Sequence, residues 1–272
     1  MSNATVTAHL NFYSPPVDGS DPHFRVTAPN GTGTKNHGHQ KCQVTIRDIR
    51  GREDCFNVDD HSFAALQVPD LKSMDVSNDE SIEAQYYPLI ERVLRQHFHA
   101  EGIFIFDHCI RRISSDKSIQ SPVRKVHIDQ TPFSAEMRLK RHVPESVQQS
   151  IAANNKRVRL INVWRPIRRQ VTDHPLTFAE SASVADEDLV EVAHIFDDRV
   201  GETFAVKYNE KQKFWYWSNM QVDEILLLQC SDNAKSVDGR SASRCAHASF
   251  ELPGSVTNER ESIEVRCLVV GG

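Results

Sequence analysis

The sequence lacks a long apolar run and a strong excess of charge of either sign. Its net charge over 272 residues is only -5, so there is no broad basic field to attract nucleic acid. A membrane helix needs roughly 18 or more consecutive apolar residues, and no stretch of the chain comes close to that length. We therefore expect neither nucleic acid nor a membrane as a partner.

Several signatures of large protein classes are also missing. The six cysteines form no C-x-x-C pair of the kind that holds zinc or a redox couple. There is no phosphate-binding G-x-x-x-x-G-K-[ST] loop, no dinucleotide-binding G-x-G-x-x-G and no hydrolase G-x-S-x-G elbow. The first ten residues carry no basic patch followed by an apolar segment. We expect a cytoplasmic protein with reduced thiols.

Short β-strand patterns recur along most of the chain. They are rich in β-branched and aromatic residues, many alternate apolar with polar positions, and they cover residues 43–47, 102–106, 123–131, 159–164, 202–208, 212–217, 224–230, 246–251 and 262–270. Helical patterns are fewer, at 79–99 and 186–196, the second suggested by acidic residues at its start. The chain is predicted to be mainly β with flanking helices, built around a jelly-roll core.

The first 40 residues are dense in turn formers, among them Pro15, Pro16 and Gly19. We expect an N-terminal arm over residues 1–40, followed by one domain over 41–272, because β-rich domains often reach 200 to 250 residues undivided. The pair His37 and His39 in this arm is expected to be mostly solvent-exposed.

An H-x-D pair, His127 and Asp129, lies on a predicted strand. Successive side chains of a strand alternate between its faces, so these two leave the same face and can reach one ion together. His247, at the start of a later apolar strand, is the best third ligand. Two imidazoles and one carboxylate are typical of non-heme iron(II) oxygenases. With 13 histidines in the chain, an isolated H-x-D pair also arises by chance.

An R-x-S unit, Arg260 and Ser262, stands where the last strand begins. The two side chains share a face, and an Arg fork with a neighbouring hydroxyl suits the distal carboxylate of 2-oxoglutarate. The alternative for Arg260 alone is a surface ion pair with Glu259 or Glu261. The order H-x-D, then His, then R-x-S favours the cosubstrate role.

At these residues the sequence resembles the fungal hydroxylase/desaturase family, with its gibberellin desaturase-like and cephalosporin methoxylation-like members, within the iron(II)/2-oxoglutarate oxygenases. The resemblance runs from about Val44 to the C-terminus and is carried by several segments together. They are DIRG (48–51), VHIDQTP (126–132), NVWRP (162–166), DEILL (223–227), CAHASF (245–250) and RESIEVR (260–266).

This resemblance implies a double-stranded β-helix, a cupin-like jelly roll, that uses iron(II), 2-oxoglutarate and O2. It implies His127, Asp129 and His247 as the metal ligands and Arg260 with Ser262 as the cosubstrate clamp, with Arg266 as a secondary candidate. Substrate candidates lie in the NVWRP segment. There Asn162 and Trp164 share one strand face, whereas Arg165 points away unless the strand ends at that point.

The resemblance further implies hydroxylation, desaturation or ring closure of a small natural-product metabolite, with release of succinate and CO2. The sequence leaves two alternatives open. One is an iron oxidase that does not use 2-oxoglutarate, in which the R-x-S unit grips the substrate's own carboxylate. The other is a non-catalytic jelly-roll protein that binds a small ligand. The partner is expected to be a small molecule, bound by a monomer or a homodimer.

Overall fold

The computed structural model describes residues 4–26, 33–113, 120–234, 244–255 and 259–272. Within these ranges most of the regular structure is β. In chain order the strands are β1 (Thr5–Ser14), β2 (His23–Val26), β3 (Gly33–Lys35), β4 (Gly38–Asp48), β5 (Phe63–Gln67), β6 (Gly102–Arg112), β7 (His127–Ile128), β8 (Val158–Pro166), β9 (Leu176–Ala179), β10 (Leu189–Ile195), β11 (Val200–Val206), β12 (Phe214–Tyr216), β13 (Glu224–Asp232), β14 (His247–Ser249) and β15 (Glu261–Val270).

These strands form two curled sheets. The larger has the order β1-β4-β12-β9-β14-β7-β11-β10-β2-β3, and the smaller has the order β5-β13-β8-β15-β6. The predicted fold class, a mainly β jelly-roll core with flanking helices, is confirmed. All the predicted strands are present, although β7 is much shorter than the predicted 123–131.

The five-stranded sheet separates two chemical environments by strict alternation. Ile161 and Val163 of β8, with Ile263 and Val265 of β15, face outward into an apolar cluster. The described residues form the α-helices α1 (Val58–His61), α2 (Asp79–Ser81), α3 (Tyr87–Phe98), α4 (Pro132–His142) and α5 (Glu145–Asn154). Of these, α3 supplies Ile90, among others, to the outward cluster. The opposite face of the sheet is free to carry polar groups.

The predicted helix at 79–99 is confirmed, with one irregularity. A π-helical turn, Ile82–Tyr86, joins α2 to α3. Pro88 stands in the first turn of α3. A proline there has no backbone N–H to donate to the preceding turn, which suits a break in the regular α-helical hydrogen bonds.

The predicted helix at 186–196 is wrong. Only a short 3-10 turn, Asp186–Asp188, precedes strand β10. This strand pairs antiparallel with β11 along its whole length and parallel with β2. Val192 is buried while its neighbour Glu191 is exposed, as expected when adjacent side chains take opposite faces of a strand. The early acidic residues begin a turn, and pairing with two partner strands makes the rest of the segment extended.

Helices α4 and α5 were not predicted from the sequence. Helix α4 begins with an ordinary capping signal, because the Thr131 hydroxyl accepts a hydrogen bond from the backbone N–H of Ser134 at 3.2 Å. Pro132 comes directly after the cap and the last turn is basic. The sequence contains these helix-start signals, but the predicted strand at 123–131 includes the cap residue Thr131.

The segment expected as an N-terminal arm contributes strands to the larger sheet. Strand β1 pairs with β4 from Thr5 opposite Arg47 to Ser14 opposite Gly38, and Phe12 is buried in the core. The boundary at residue 40 stays a prediction. His37 was expected to be exposed but is 5% exposed, and its ring lies 5.8 Å from the Tyr13 ring of β1. His39 is exposed as expected. Among the described residues, no helix is long and apolar enough to cross a membrane.

Candidate metal centre

Strand pairing brings together the three side chains that the sequence singles out as metal ligands. Val126 and Ile128 are buried in the core, so His127 and Asp129 leave the opposite face. Strand β14 pairs with β7 so that His247 lies directly opposite His127. The two imidazole rings are 4.5 Å apart between centroids. Ligand atoms of His127, Asp129 and His247 all lie within 4.8 Å of one another, a group that could hold a metal ion.

Both imidazoles are oriented by backbone carbonyls. Nδ1 of His127 is 2.8 Å from the carbonyl oxygen of Lys125, and Nδ1 of His247 is 3.0 Å from that of Cys245. A carbonyl oxygen only accepts, so Nδ1 carries the proton in each ring and Nε2 has a free lone pair. Burial and the neighbouring His127 lower the pKa of His247, which favours the neutral form that binds metals.

The two oxygens of Asp129 have different surroundings. Oδ1 is 3.3 Å from Nε2 of His127. Oδ2 accepts hydrogen bonds from Nδ2 of Asn162 at 2.6 Å and from Nε of Arg266 at 3.3 Å. Burial alone would raise the pKa of Asp129, but the charge of the Arg266 guanidinium holds it well below its usual value. Two imidazoles and an ionised carboxylate therefore converge, and this donor set fits iron(II).

Arg260 lies deep in the protein, with 3% of its surface exposed. Its Nη1 donates to Oγ of Ser249 at 2.7 Å and to the carbonyl oxygen of His174 at 2.9 Å, and its Nη2 donates to Oγ of Ser262 at 3.2 Å. The guanidinium carbon lies 5.0 Å from the centre of the Trp164 ring. The R-x-S pair is thus a rigid unit, as the shared strand face predicts.

The surface ion pair considered for Arg260 is not formed. Glu259 pairs with Arg169, and Glu261 lies 3.2 Å from Arg112 and 3.1 Å from Arg168. Among the ion pairs of the described residues, none includes Arg260. Burial, together with the charge of Arg111, lowers the pKa of Arg260 to about 9. The carboxylates of Asp173 and Glu264 are near enough to raise this pKa but form no ion pair with the guanidinium, which donates only to neutral acceptors. Such a buried guanidinium is well suited to an incoming carboxylate.

Arg266 has a different environment from Arg260. It forms ion pairs with Asp107 and Glu264, each at 2.7 Å, besides its contact with Asp129. Each of its three guanidinium nitrogens therefore donates to a different carboxylate, and its immediate structural role is to hold Asp129. Glu264 was not predicted as a site residue, although it shares the alternating face of Ser262 and Arg266. Asp107 was not predicted either, and no local pattern marks it.

The NVWRP segment divides between two faces of β8. Asn162 contacts Asp129 and Trp164 stacks on Arg260, so both lie at the candidate centre. The structure does not bring Arg165 to it. Arg165 donates to the hydroxyl of Tyr86 at 3.2 Å and to the carbonyl oxygen of Val222 at 2.9 Å, on the opposite face of the sheet.

Comparisons with known proteins agree with this arrangement. A family model described as "YDMC: Oxidoreductase/YMDC permease-like domain" matches residues 10–270. The chain is 31% identical to the alpha-ketoglutarate-dependent dioxygenase tstK of Talaromyces stipitatus, over 96% of this chain and 95% of that protein. It is 29% identical to the hydroxylase/desaturase efuI of Hormonema carpetanum, over 99% of this chain and 96% of that protein.

A solved structure is also similar over nearly the whole length. It is described as the iron and alpha-ketoglutarate-dependent endoperoxidase NvfI. It superimposes with a TM-score of 0.84 at 27% sequence identity, and the match covers 98% of each chain. Alpha-ketoglutarate is another name for 2-oxoglutarate, so tstK and NvfI share one cosubstrate by name.

Proposed function

As a member of the family of fungal Fe(II)/2-oxoglutarate-dependent dioxygenases and hydroxylase/desaturases, this chain is a dioxygenase of that class, and we propose which residues perform its chemistry. His127, Asp129 and His247 hold the iron(II). Arg260 and Ser262 bind the distal carboxylate of 2-oxoglutarate. The bound iron(II), with 2-oxoglutarate and O2, supplies the oxidising power that removes hydrogen from a substrate C–H bond, with succinate and CO2 as coproducts.

One observation supports this assignment above the others. The buried guanidinium of Arg260 donates its hydrogen bonds only to neutral acceptors among the described residues, and it shares the inner face of the sheet with the groups that hold Asp129. The carboxylates of Asp173 and Glu264 lie near enough to raise its pKa, but neither forms an ion pair with it. Burying a charge without a counter-ion is unfavourable. An anionic cosubstrate would remove that cost when it binds.

The remaining contacts hold these groups in place. The carbonyl oxygens of Lys125 and Cys245 keep the Nδ1 protons of the two ligand imidazoles, so that both Nε2 atoms are available to the metal. Asn162 and Arg266 hold one oxygen of Asp129 and leave Oδ1 beside His127. Trp164 covers one face of Arg260 and restricts its rotation. The chain's own contribution is to orient these groups and to exclude water.

The relatives favour this function over both alternatives from the sequence. The names of tstK and NvfI specify dependence on alpha-ketoglutarate, which counts against an oxidase without 2-oxoglutarate and against a non-catalytic binding protein. The substrate we infer is a small natural-product metabolite, as is typical of hydroxylase/desaturases of secondary metabolism. The cytoplasmic location and the choice between monomer and homodimer stay predictions.

An anaerobic titration tests the proposal. The iron-loaded protein is titrated with 2-oxoglutarate while the visible absorbance is recorded. Chelation of iron(II) by the keto acid should give a metal-to-ligand charge-transfer band that saturates at one equivalent. If iron loading is stoichiometric and no band develops, the cosubstrate assignment is wrong.

A further inference from the structure

A cavity of about 360 Å³ lies between helix α4 and the inner face of the five-stranded sheet. This volume falls within the range of about 300 to 1,000 Å³ that is usual for small-molecule pockets. The apolar part of its wall comes from α4, β8, β13 and β15. Its residues are Ala135, Leu139, Val158, Leu160, Cys230 and Leu268.

The cavity adjoins the candidate metal centre. Leu160 and Leu268 stand opposite each other in the sheet, two residues beyond the pair Asn162 and Arg266. Those two residues contact Asp129, and two strand residues span roughly 7 Å. The wall also includes Gln130, the residue after Asp129. The cavity therefore lies beside the ligand carboxylate, one strand repeat away from the two residues that hold it.

The cavity and the carboxylate clamp lie on opposite sides of the metal ligands. Along β8 the inward-facing order is Trp164, Asn162, Leu160, and Trp164 is the residue that covers Arg260. Along β15, Ser262 precedes Arg266 and Leu268 follows it. A cosubstrate held by Arg260 would thus leave this cavity open for a second molecule.

Every charged side chain in the cavity wall already has a partner of opposite charge. Glu136 pairs with Lys140 at 2.5 Å, and Asp232 pairs with Arg157 at 2.5 Å. The third, Arg244, pairs with Asp186. A ligand carboxylate would have to compete with Asp186 for Arg244, and a ligand ammonium would have to compete with Arg157 for the buried Asp232. The wall therefore offers neither kind of ion an unpaired partner of opposite charge.

We propose that this cavity binds the molecule to be oxidised, and that this substrate is an uncharged, largely apolar scaffold. The inference rests on the proposed function and adds the substrate class. Apolar walls favour a hydrocarbon skeleton, and Gln130, the residue after Asp129, puts one end of the cavity beside the candidate metal centre. Gln130 and Ser231 are suited to a hydroxyl or ketone on the scaffold, whereas the third neutral polar wall residue, Asn233, already bonds to the backbone of Val158 and Lys156.

A matched set of cage compounds tests the charge selectivity. The probes are adamantan-1-ol, adamantane-1-carboxylate and 1-adamantylammonium, which share one apolar cage and differ in charge. Isothermal titration calorimetry with the metal-free protein measures their binding. The alcohol should bind at least tenfold more tightly than either ion. The proposal is overturned if the alcohol does not bind up to its solubility limit, or if the carboxylate binds more tightly by displacing Asp186 from Arg244.

Substitutions on α4 test the location. Ala135→Trp places a large ring in the cavity and should weaken binding of the alcohol at least tenfold. Met137→Trp, on the exposed side of the same helix with 48% exposure, is the matched control and should leave binding unchanged. Equal affinity of the two variants would place the alcohol elsewhere. Should Ala135→Trp fail to fold, the selectivity of the wild-type protein still decides the substrate class.

These measurements separate the two proposals. Probe binding to the metal-free protein does not depend on iron or 2-oxoglutarate, whereas the charge-transfer titration does. A normal charge-transfer band without selective probe binding would overturn the substrate class alone. Selective probe binding without the band would overturn the cosubstrate assignment and leave an apolar ligand site.

Discussion

The side-chain amide of Asn162 donates a hydrogen bond to Oδ2 of Asp129 across 2.6 Å. Asn162 belongs to the five-stranded sheet, whereas Asp129 comes directly after β7 of the ten-stranded sheet. The bond therefore links the two sheets at the candidate metal centre. It also occupies one carboxylate oxygen, so that the other is available to the metal.

Removing this bond should weaken iron binding. Asn162→Ala leaves Oδ2 of Asp129 with Arg266 alone, and loss of such an orienting contact typically costs about 10- to 100-fold in metal affinity. The dissociation constant for iron(II) should rise by that factor, as measured by competition with a chelator. Asn154→Ala, at an exposed position in α5, is the control. An unchanged iron affinity would show that the bond does not orient the ligand.

Loss of a ligand should abolish stoichiometric iron binding. In His127→Ala, one Nε2 donor is lost and the two remaining donors cannot complete the triad. Metal analysis of the anaerobically reconstituted variant should give well under one iron per chain. His39→Ala, at an exposed histidine, should bind iron like the wild type. Full occupancy in the His127 variant would rule out its role as a ligand.

Replacing the guanidinium should weaken cosubstrate binding but not iron binding. Arg260→Lys keeps a positive charge, but one ammonium cannot make two parallel hydrogen bonds to a carboxylate or keep the contacts to both Ser249 and Ser262. The dissociation constant for 2-oxoglutarate should rise at least tenfold in the charge-transfer titration. Arg168→Lys, which changes a surface ion pair with Glu261, should have little effect. Equal affinities of the two variants would argue against the clamp.

The buried apolar cluster that contains Leu228 should tolerate shortening of its side chains poorly. Leu228 is fully buried in the cluster that contains Phe63 and Phe178. Leu228→Ala should lower the free energy of unfolding by about 2–5 kcal/mol, because a buried leucine loses both its burial and its packing. Chemical denaturation measures the change. Val17→Ala, at a fully exposed position, should change stability by less than about 0.5 kcal/mol.

His37 should make stability depend on pH in the mildly acidic range. Burial, with the nearby charges of Lys125 and Lys35, lowers its pKa to about 4. Its Nδ1 is buried and has no hydrogen-bond partner among the described residues. The unfolded chain takes up the proton near pH 6.5 but the folded chain only near pH 4, so the contribution to stability falls as pH drops through this window. Denaturation midpoints of His37→Phe should fall less between pH 6.5 and 4 than those of the wild type. Parallel curves would show that another group dominates.

Local periodicity was enough to predict much of the site. A spacing of two on a strand places His127 with Asp129, and Arg260 with Ser262, whatever the rest of the chain does. The same rule places Asn162 and Trp164 together and turns Arg165 away. It also places Glu264 and Arg266 on the same face as Ser262, but it does not predict which residues they contact. Repeated short strand patterns predicted the fold class in the same way.

Only the tertiary structure decided which distant groups meet. The pairing of β14 with β7 sets His247 opposite His127. The approach of the two sheets brings Asn162 and Arg266 within hydrogen-bonding distance of Asp129. Pairing with β2 and β11 made a strand of a segment whose acidic start favoured a helix. The cavity beside α4 likewise depends on a helix that was not predicted from the sequence. A sequence pattern determines which face a side chain takes, because the alternation of faces is a property of the local backbone. The group that lies across from that face depends on long-range packing, which no local pattern encodes.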